Sequence, residues 1–235
     1  MQRILITGTN RGLGLELVKQ YAQTDNMRVF ATCRHPDEAV QLQSMAQRQP
    51  NVSVLGLDVA DDSQFAMFEE TLAAQTDGLD VLIHNAGMNP RTPDARHLGD
   101  LTAAAIQEQI QVNAIGPLLL TQALLPLLRR GRKPVVVMVS SQMGSLEWKQ
   151  KGGGYAYSMS KSALNMAART LAYDLKPQGI TTITLHPGWV LTDMGGAGAD
   201  LSPEDSARSI RQLASKVSLE NTGSFYKWDG SPHVW

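Results

Sequence analysis

The chain has 235 residues, of which 43% are hydrophobic and 18% charged, with a formal net charge of −1. This size and composition suit one large α/β domain with a substantial core and point away from disorder. The near-neutral balance, with no long run of one sign, argues against a nucleic-acid or anionic-membrane surface as partner, and the lone Cys33 excludes an internal disulfide or a cysteine-rich metal site.

From the N-terminus, MQRILITGTNRG reaches a glycine turn after a very short apolar run, leaving no room for a signal-peptide core. The first strand is expected at RILIT (3–7) and the first helix near 13–23. Between them Gly8, Gly12 and Gly14 form a G-x-x-x-G-x-G turn, not the commoner G-x-G-x-x-G. A glycine turn opening a helix offers free N–H groups and a positive dipole end to a pyrophosphate. The second strand follows at RVFATC (28–33) and the third at VSVLGLDV (52–59), with helices near 37–48 and 63–75. DVLIHN (80–85) reads as the fourth strand, followed by a long helix over 102–129. Its apolar stretch PLLLTQALLPLL (117–128) is too short for a bilayer and is broken by Thr121, Gln122 and Pro126, so it reads as a buried helix. PVVVMVSS (134–141) and TTITLHPG (181–188) are the fifth and sixth strands, flanking a helix at 157–175. A helix near 203–217 and a seventh strand at SFYKW (224–228) complete the chain.

Several of these strands are apolar almost end to end, as strands buried on both faces are. Alternating β and α elements at this spacing give a doubly wound α/β fold, with no linker or repeat dividing it. The glycine-rich patches 151–155 and 195–200 fall just after strand ends. Ligands bind there in open α/β sheets, which makes both patches candidate site walls; taken alone they read equally well as surface loops.

GGGYAYSMSK (152–161) carries two tyrosines and a lysine. On a helix, Tyr157 and Lys161 sit about 40° apart on one face, whereas Tyr155 points about 120° away from Lys161. Only Tyr157 shares a wall with Lys161; Tyr155 is expected off that face, lining a substrate mouth. A tyrosine acid benefits from a neighbouring ammonium, which lowers its pKa toward the working pH. Such a pair on a random helix is more often structural.

In order along the chain, TGTNRGLG, HNAG (84–87), Asn113 in QVNAIGP, VSSQMG (139–144), YSMSK and HPGWVLT (186–192) resemble the motifs of the short-chain dehydrogenases/reductases, with His84 replacing the first asparagine of N-N-A-G. The similarity runs along nearly the whole chain. NRGLGLELVKQY, YAYSMSKSALN and GSFYKWDG resemble most the carbonyl-reductase-like branch of C-factor and sniffer type. The resemblance implies one Rossmann-type domain over 1–235, with about seven mostly parallel strands and helices on both faces. It implies cofactor contacts from Gly8, Asn10, Arg11, Gly12 and Leu13 in the first turn, and from Asn85, Ala86 and Gly87 after the fourth strand. Asp58 is implied to accept from the adenine amino group, with Val59 beside it, although a strand-end aspartate also caps helices. Pro187, Gly188, Val190 and Thr192 are implied to line the nicotinamide.

The second strand ends in Cys33 where an NAD enzyme of this fold places an acidic residue, and Arg34 follows. Arg11 and Arg34 are placed to clamp a 2′-phosphate, so NADP(H) is expected over NAD(H). Ser141 at the end of the fifth strand is expected to polarise the carbonyl, Tyr157 to act as acid, and Lys161 to lower the tyrosine pKa and hold the ribose hydroxyls. Asn113 is expected to hold a water that relays protons to Lys161. Hydride leaves the nicotinamide on its pro-S face in this family. The expected substrate is a small aldehyde, ketone or quinone in a pocket with Met143, Trp148, Trp189 and Met194. The alternative is an NADP(H)-binding signalling or regulatory protein with little or no turnover; an epimerase or dehydratase is the third reading. No G-x-S-x-G elbow and no metal-ligand spacing among the five histidines occurs. The expected compartment is the cytoplasm, without membrane partners. Homodimer, homotetramer and monomer all occur in the family and stay open.

Overall fold

The computed structural model describes all 235 residues. The first strands and helices are β1 (Gln2–Thr7), α1 (Gly12–Ala22), β2 (Met27–Cys33), α2 (Val40–Arg48), β3 (Val52–Gly56), α3 (Phe65–Ala73) and β4 (Val81–His84). Then come α4 (Pro93–Arg96), α5 (Ala103–Ile110), α6 (Gly116–Ala123), α7 (Leu125–Arg129) and β5 (Val135–Val139). The chain ends with α8 (Tyr155–Leu175), β6 (Thr181–His186), α9 (Pro203–Lys216) and β7 (Phe225–Lys227).

All seven strands join one parallel sheet in the order β3-β2-β1-β4-β5-β6-β7. The period of two in each strand divides its side chains between two cores. Ile4, Ile6, Val29, Ala31, Val137 and Leu185 face Leu17, Val18, Leu42, Ala207 and Ile210 of α1, α2 and α9. Leu5, Phe30, Leu82, Val136 and Met138 face Phe68, Leu72, Leu120, Leu164 and Leu171 of α3, α6 and α8. Each fully buried Leu or Phe contributes about 1.5–3 kcal/mol. The sequence order reverses between β1 and β4, which opens a crevice at the carboxyl ends of these strands. No helix is long and apolar enough to cross a membrane.

Two expectations change. The helix expected over 102–129 is broken into α5, a π-helical turn at Gln111–Ile115, α6 and α7. Pro117 has no N–H to give the Asn113 carbonyl, and the amide of Gly116 instead reaches back to Gln111 O, an i→i+5 bond. Pro126 starts the next helix in its first turn, where a missing N–H costs little. The third strand stops at Gly56, short of the expected Val59, so Asp58 and Val59 lie in the loop beyond it. The short α4 went unread in the sequence.

Candidate active site

The carboxyl ends of the strands open into one cleft of about 1390 Å³. All the site residues expected from the sequence line it except Asn113. Thr7 and Asn85 fasten the glycine turn to the end of β4. The Thr7 hydroxyl accepts from the backbone N–H groups of Asn85 (3.1 Å) and Ala86 (3.0 Å), and the Asn85 amide donates to Thr7 O (3.0 Å) and Gly8 O (2.9 Å). Gly8 has φ +69°, and a Cβ on Gly14 would lie 2.1 Å from Gly8 O, so neither position admits a side chain. Arg11 makes no side-chain cap on α1, and no acidic residue sits in its first turn. The leading N–H groups of that helix therefore face the cleft without an anion of the chain's own.

At the β2–β3 end the lining residues include Cys33, Arg34, Glu38, Asp58 and Val59. Arg34 is exposed and makes no ion pair or hydrogen bond. Burial pushes the Cys33 thiol pKa up. Asp58 Oδ1 accepts from Ala60 N at 2.9 Å, so this carboxylate shapes the loop as well as facing the cleft. Glu38 is a carboxylate that the sequence reading passed over. Arg11 reaches across to Asp193 at 3.0 Å, with both side chains exposed.

Ser141, Tyr157 and Lys161 meet where β5 ends and α8 begins. Residues 156, 160, 161, 164, 165, 168, 171, 172 and 175 form the buried stripe of α8, so helix periodicity carries Lys161 inward. Lys161 is 4% exposed; its Nζ donates to Val139 O at 2.9 Å and lies 5.8 Å from the centre of the Tyr157 ring. Burial lowers its pKa to about 8. Tyr157 stands in the first turn of α8, and desolvation raises its phenol to about 12, opposed by a hydrogen bond from Ser141. The expected lowering of this phenol by Lys161 is thus not realised by these side chains alone. Desolvation dominates, and the ammonium is turned to Val139 O. Ser141 Oγ also accepts from Met143 N at 3.1 Å, which fixes it at the start of the 3₁₀ turn Gln142–Gly144.

Two buried amides brace this group, and only one was anticipated. Asn113 Nδ2 donates to Met88 O and Ser160 Oγ, both at 2.9 Å, while Oδ1 accepts from Met88 N at 2.8 Å. The Ser160 hydroxyl in turn donates to Tyr157 O at 2.8 Å. The Asn113 amide hydrogens are therefore committed to the frame, and Gly87 stands between this amide and Lys161 Nζ: a Cβ there would lie 3.1 Å from Asn113 Oδ1 and 3.6 Å from Nζ. Asn165, four residues after Lys161, accepts from Ser140 Oγ at 2.6 Å and donates to Gly144 O at 3.1 Å. Its position on the Lys161 face of the helix was the available signal.

At the other end Met143, Trp148, Trp189 and Met194 line the cleft, and Tyr155 does not, contrary to expectation. The helix starts at Tyr155 itself, which turns this ring to a different face from Tyr157. Arg91 and Arg96 line the cleft as well and were not singled out from the sequence. Arg91 donates to Met194 O at 2.7 Å and Gly195 O at 3.2 Å, joining the loop after β4 to the loop after β6.

A doubly wound parallel sheet with serine, tyrosine and lysine beside a glycine turn defines a dinucleotide-dependent oxidoreductase class. Residues 2–200 match the short chain dehydrogenase family, and the chain belongs to that family. Its relatives include the C-signal of Myxococcus xanthus, 44% identical over 160 residues that span 68% of this chain and 95% of that protein. Among solved structures it is similar to carbonyl reductase Sniffer of D. melanogaster, with a TM-score of 0.95, 36% identity and full coverage of both chains. The NADPH-bound carbonyl reductase from chicken fatty liver superposes with a TM-score of 0.93 at 33% identity, over 100% of this chain and 99% of that one. These likenesses put the chain in the carbonyl-reductase-like branch.

Proposed function

We propose that the chain is an NADP(H)-dependent carbonyl reductase in which Ser141, Tyr157 and Lys161 form the catalytic centre. The observation that carries this reading is the buried Lys161 side chain set one helical turn from Tyr157, with Ser141 near enough to that phenol to oppose the upward pKa shift. The glycine turn, the uncapped start of α1 and the unpaired Arg34 fit a phosphorylated dinucleotide. Arg11 joins Arg34 at the 2′-phosphate by leaving Asp193, a surface pair worth at most about 1 kcal/mol. Binding of NADPH by the chicken carbonyl reductase is consistent with this choice.

When bound, the nicotinamide supplies or accepts the hydride. In the reductive direction Ser141 Oγ donates a hydrogen bond to the substrate carbonyl oxygen, and the Tyr157 hydroxyl gives that oxygen its proton. A phenol held near 12 stays protonated across the physiological range, so the acid is always loaded. Lys161 holds the ribose hydroxyls and stabilises the phenolate left after proton transfer. Asn113, through Ser160 and Met88, keeps the first turn of α8 and the loop after Gly87 in register. The substrates are small aldehydes, ketones or quinones, and the lone buried Cys33 suits the cytoplasm.

The relative named C-signal keeps a second reading in play, an NADP(H)-binding signalling protein with little turnover. An NADPH- and NADH-oxidation screen over aldehydes, ketones and quinones separates the two. Reduction with NADPH preferred over NADH is expected. Tight NADPH binding without turnover of any compound would move the assignment to the signalling reading.

A further inference from the structure

We propose that Arg96 is a specificity-determining residue and that the substrate carries a carboxylate alongside its carbonyl. The inference rests on the carbonyl-reductase reading of the same cleft and goes beyond it by naming a chemical class.

Besides Lys161, four cations line the cleft: Arg11, Arg34, Arg91 and Arg96. Arg11 is paired with Asp193, and Arg91 is bound to two carbonyls of the facing loop. Arg34 lies at the β2 end, beyond the glycine turn from the reacting group. Arg96 is different. Its guanidinium makes no ion pair and no hydrogen bond, although the residue is half-buried. A partly desolvated cation without a counter-ion is a cost that an anionic ligand removes.

Its location ties that vacancy to the chemistry. Arg96 ends α4, and its carbonyl accepts from Gly154 N at 3.1 Å. Gly154 caps the start of α8, three positions before Tyr157. The backbone of Arg96 is thereby fixed against the segment that presents the proposed catalytic phenol, and Met143 meets the same residue: a Cβ on Gly154 would lie 2.9 Å from Met143 Cε. No carboxylate along the cleft pairs with Arg96. Asp193 is engaged by Arg11, Glu38 and Asp58 flank the β2–β3 end, and Glu108 lies one turn before Gln111, whose amide bonds Ala60 O beyond β3. A single guanidinium matches one carboxylate in charge and offers it a forked pair of donors.

The test compares 4-carboxybenzaldehyde with its neutral counterpart 4-carbamoylbenzaldehyde, using NADPH and the full chain. The wild type is expected to show a kcat/KM at least tenfold higher for the carboxylate. The advantage should shrink as salt rises, collapse to near one in Arg96→Gln, and be partly kept in Arg96→Lys. Equal values in the wild type, or a preference that Arg96→Gln leaves intact, would overturn the proposal. Quenching of intrinsic tryptophan fluorescence by benzoate, in wild type and Arg96→Gln, gives a readout independent of turnover. Reduction of neither aldehyde together with Arg96-dependent benzoate binding would defeat the catalytic reading and uphold the anion site. Benzoate binding that Arg96→Gln leaves unchanged, or none in the wild type, would defeat the anion site.

Discussion

Lys161 is a cationic side chain only 4% exposed, and burial alone accounts for its pKa near 8. Burial disfavours the charged form, so the ammonium is lost at lower pH than in an ordinary lysine. The phenol beside it titrates near 12 and stays protonated well above that point. The alkaline limb of kcat/KM for carbonyl reduction, which reports the free enzyme, is therefore expected near pH 8 and belongs to Lys161. A profile flat to pH 10 would contradict this assignment. The pairing of Tyr157 with Lys161 was legible from helix angle alone. The upward shift of the phenol was not, because it depends on how much of the sheet and loop closes over the ring, and spacing along one helix carries no such information. Arg96 escaped notice for a related reason: an arginine at the end of a short helix is distinguished only by partners it lacks.

Helix α8 carries Ser160, Lys161 and Asn165 on one buried stripe, and each reaches a different neighbour. Ser160 ties to Asn113 of the π turn, Lys161 to β5, and Asn165 to the Ser140–Gly144 segment that presents Ser141. On the proposed mechanism Asn165 is thus a positioning residue for Ser141. Replacing it by Leu keeps the volume but leaves the Ser140 hydroxyl without its acceptor and Gly144 O with the Ser162 hydroxyl alone, a loss of about 1–3 kcal/mol in stability. Displacement of Ser141 by a fraction of an ångström is expected to lower kcat about 10- to 100-fold. The KM for NADPH should change less than twofold, since the glycine turn is untouched. Steady-state kinetics on Asn165→Leu check this; a rise in the NADPH KM with unchanged kcat would refute it. The strands and the order of elements were readable from apolar runs and glycine turns, while α8 begins at Tyr155, two residues before the expected 157. The break in the 102–129 segment was not anticipated, because Gly116 and Pro117 were read as features inside a helix. What matters is that Pro117 removes the donor for Asn113 O.

Across the whole molecule, the sheet is fastened at the end opposite the cleft by a buried ion pair. Asp80 is 1% exposed and accepts from Arg3 Nη2 (2.8 Å), Arg3 Nε (2.9 Å), Arg3 N (2.7 Å) and Arg132 N (2.6 Å). It joins the start of β1, the start of β4 and the approach to β5, while Asp77 also pairs with Arg3. Burial works to raise the Asp80 pKa, but the hydrogen bonds and charge of Arg3 and the Arg132 amide outweigh it and leave it lowered. A carboxyl lowered in the folded state stabilises fully above its ordinary range, and that contribution fades as pH falls through the folded value. Asp80→Asn is expected to cost about 3–5 kcal/mol at neutral pH in urea unfolding, and to lessen the loss of stability in acid. A cost under 1 kcal/mol would show that the pair is not a structural tie. Arg3 and Asp80 are 77 residues apart and carried no mark in the sequence, whereas the doubly wound sheet they help to hold together followed from the βα alternation. The account as a whole turns on one phenol. NADPH oxidation with a reducible carbonyl, measured for Tyr157→Phe and Tyr155→Phe side by side, tests it most directly. The expected result is a fall of several orders of magnitude for Tyr157→Phe with NADPH binding retained, and near-normal turnover for Tyr155→Phe. Full turnover in Tyr157→Phe, or loss confined to Tyr155→Phe, would contradict it.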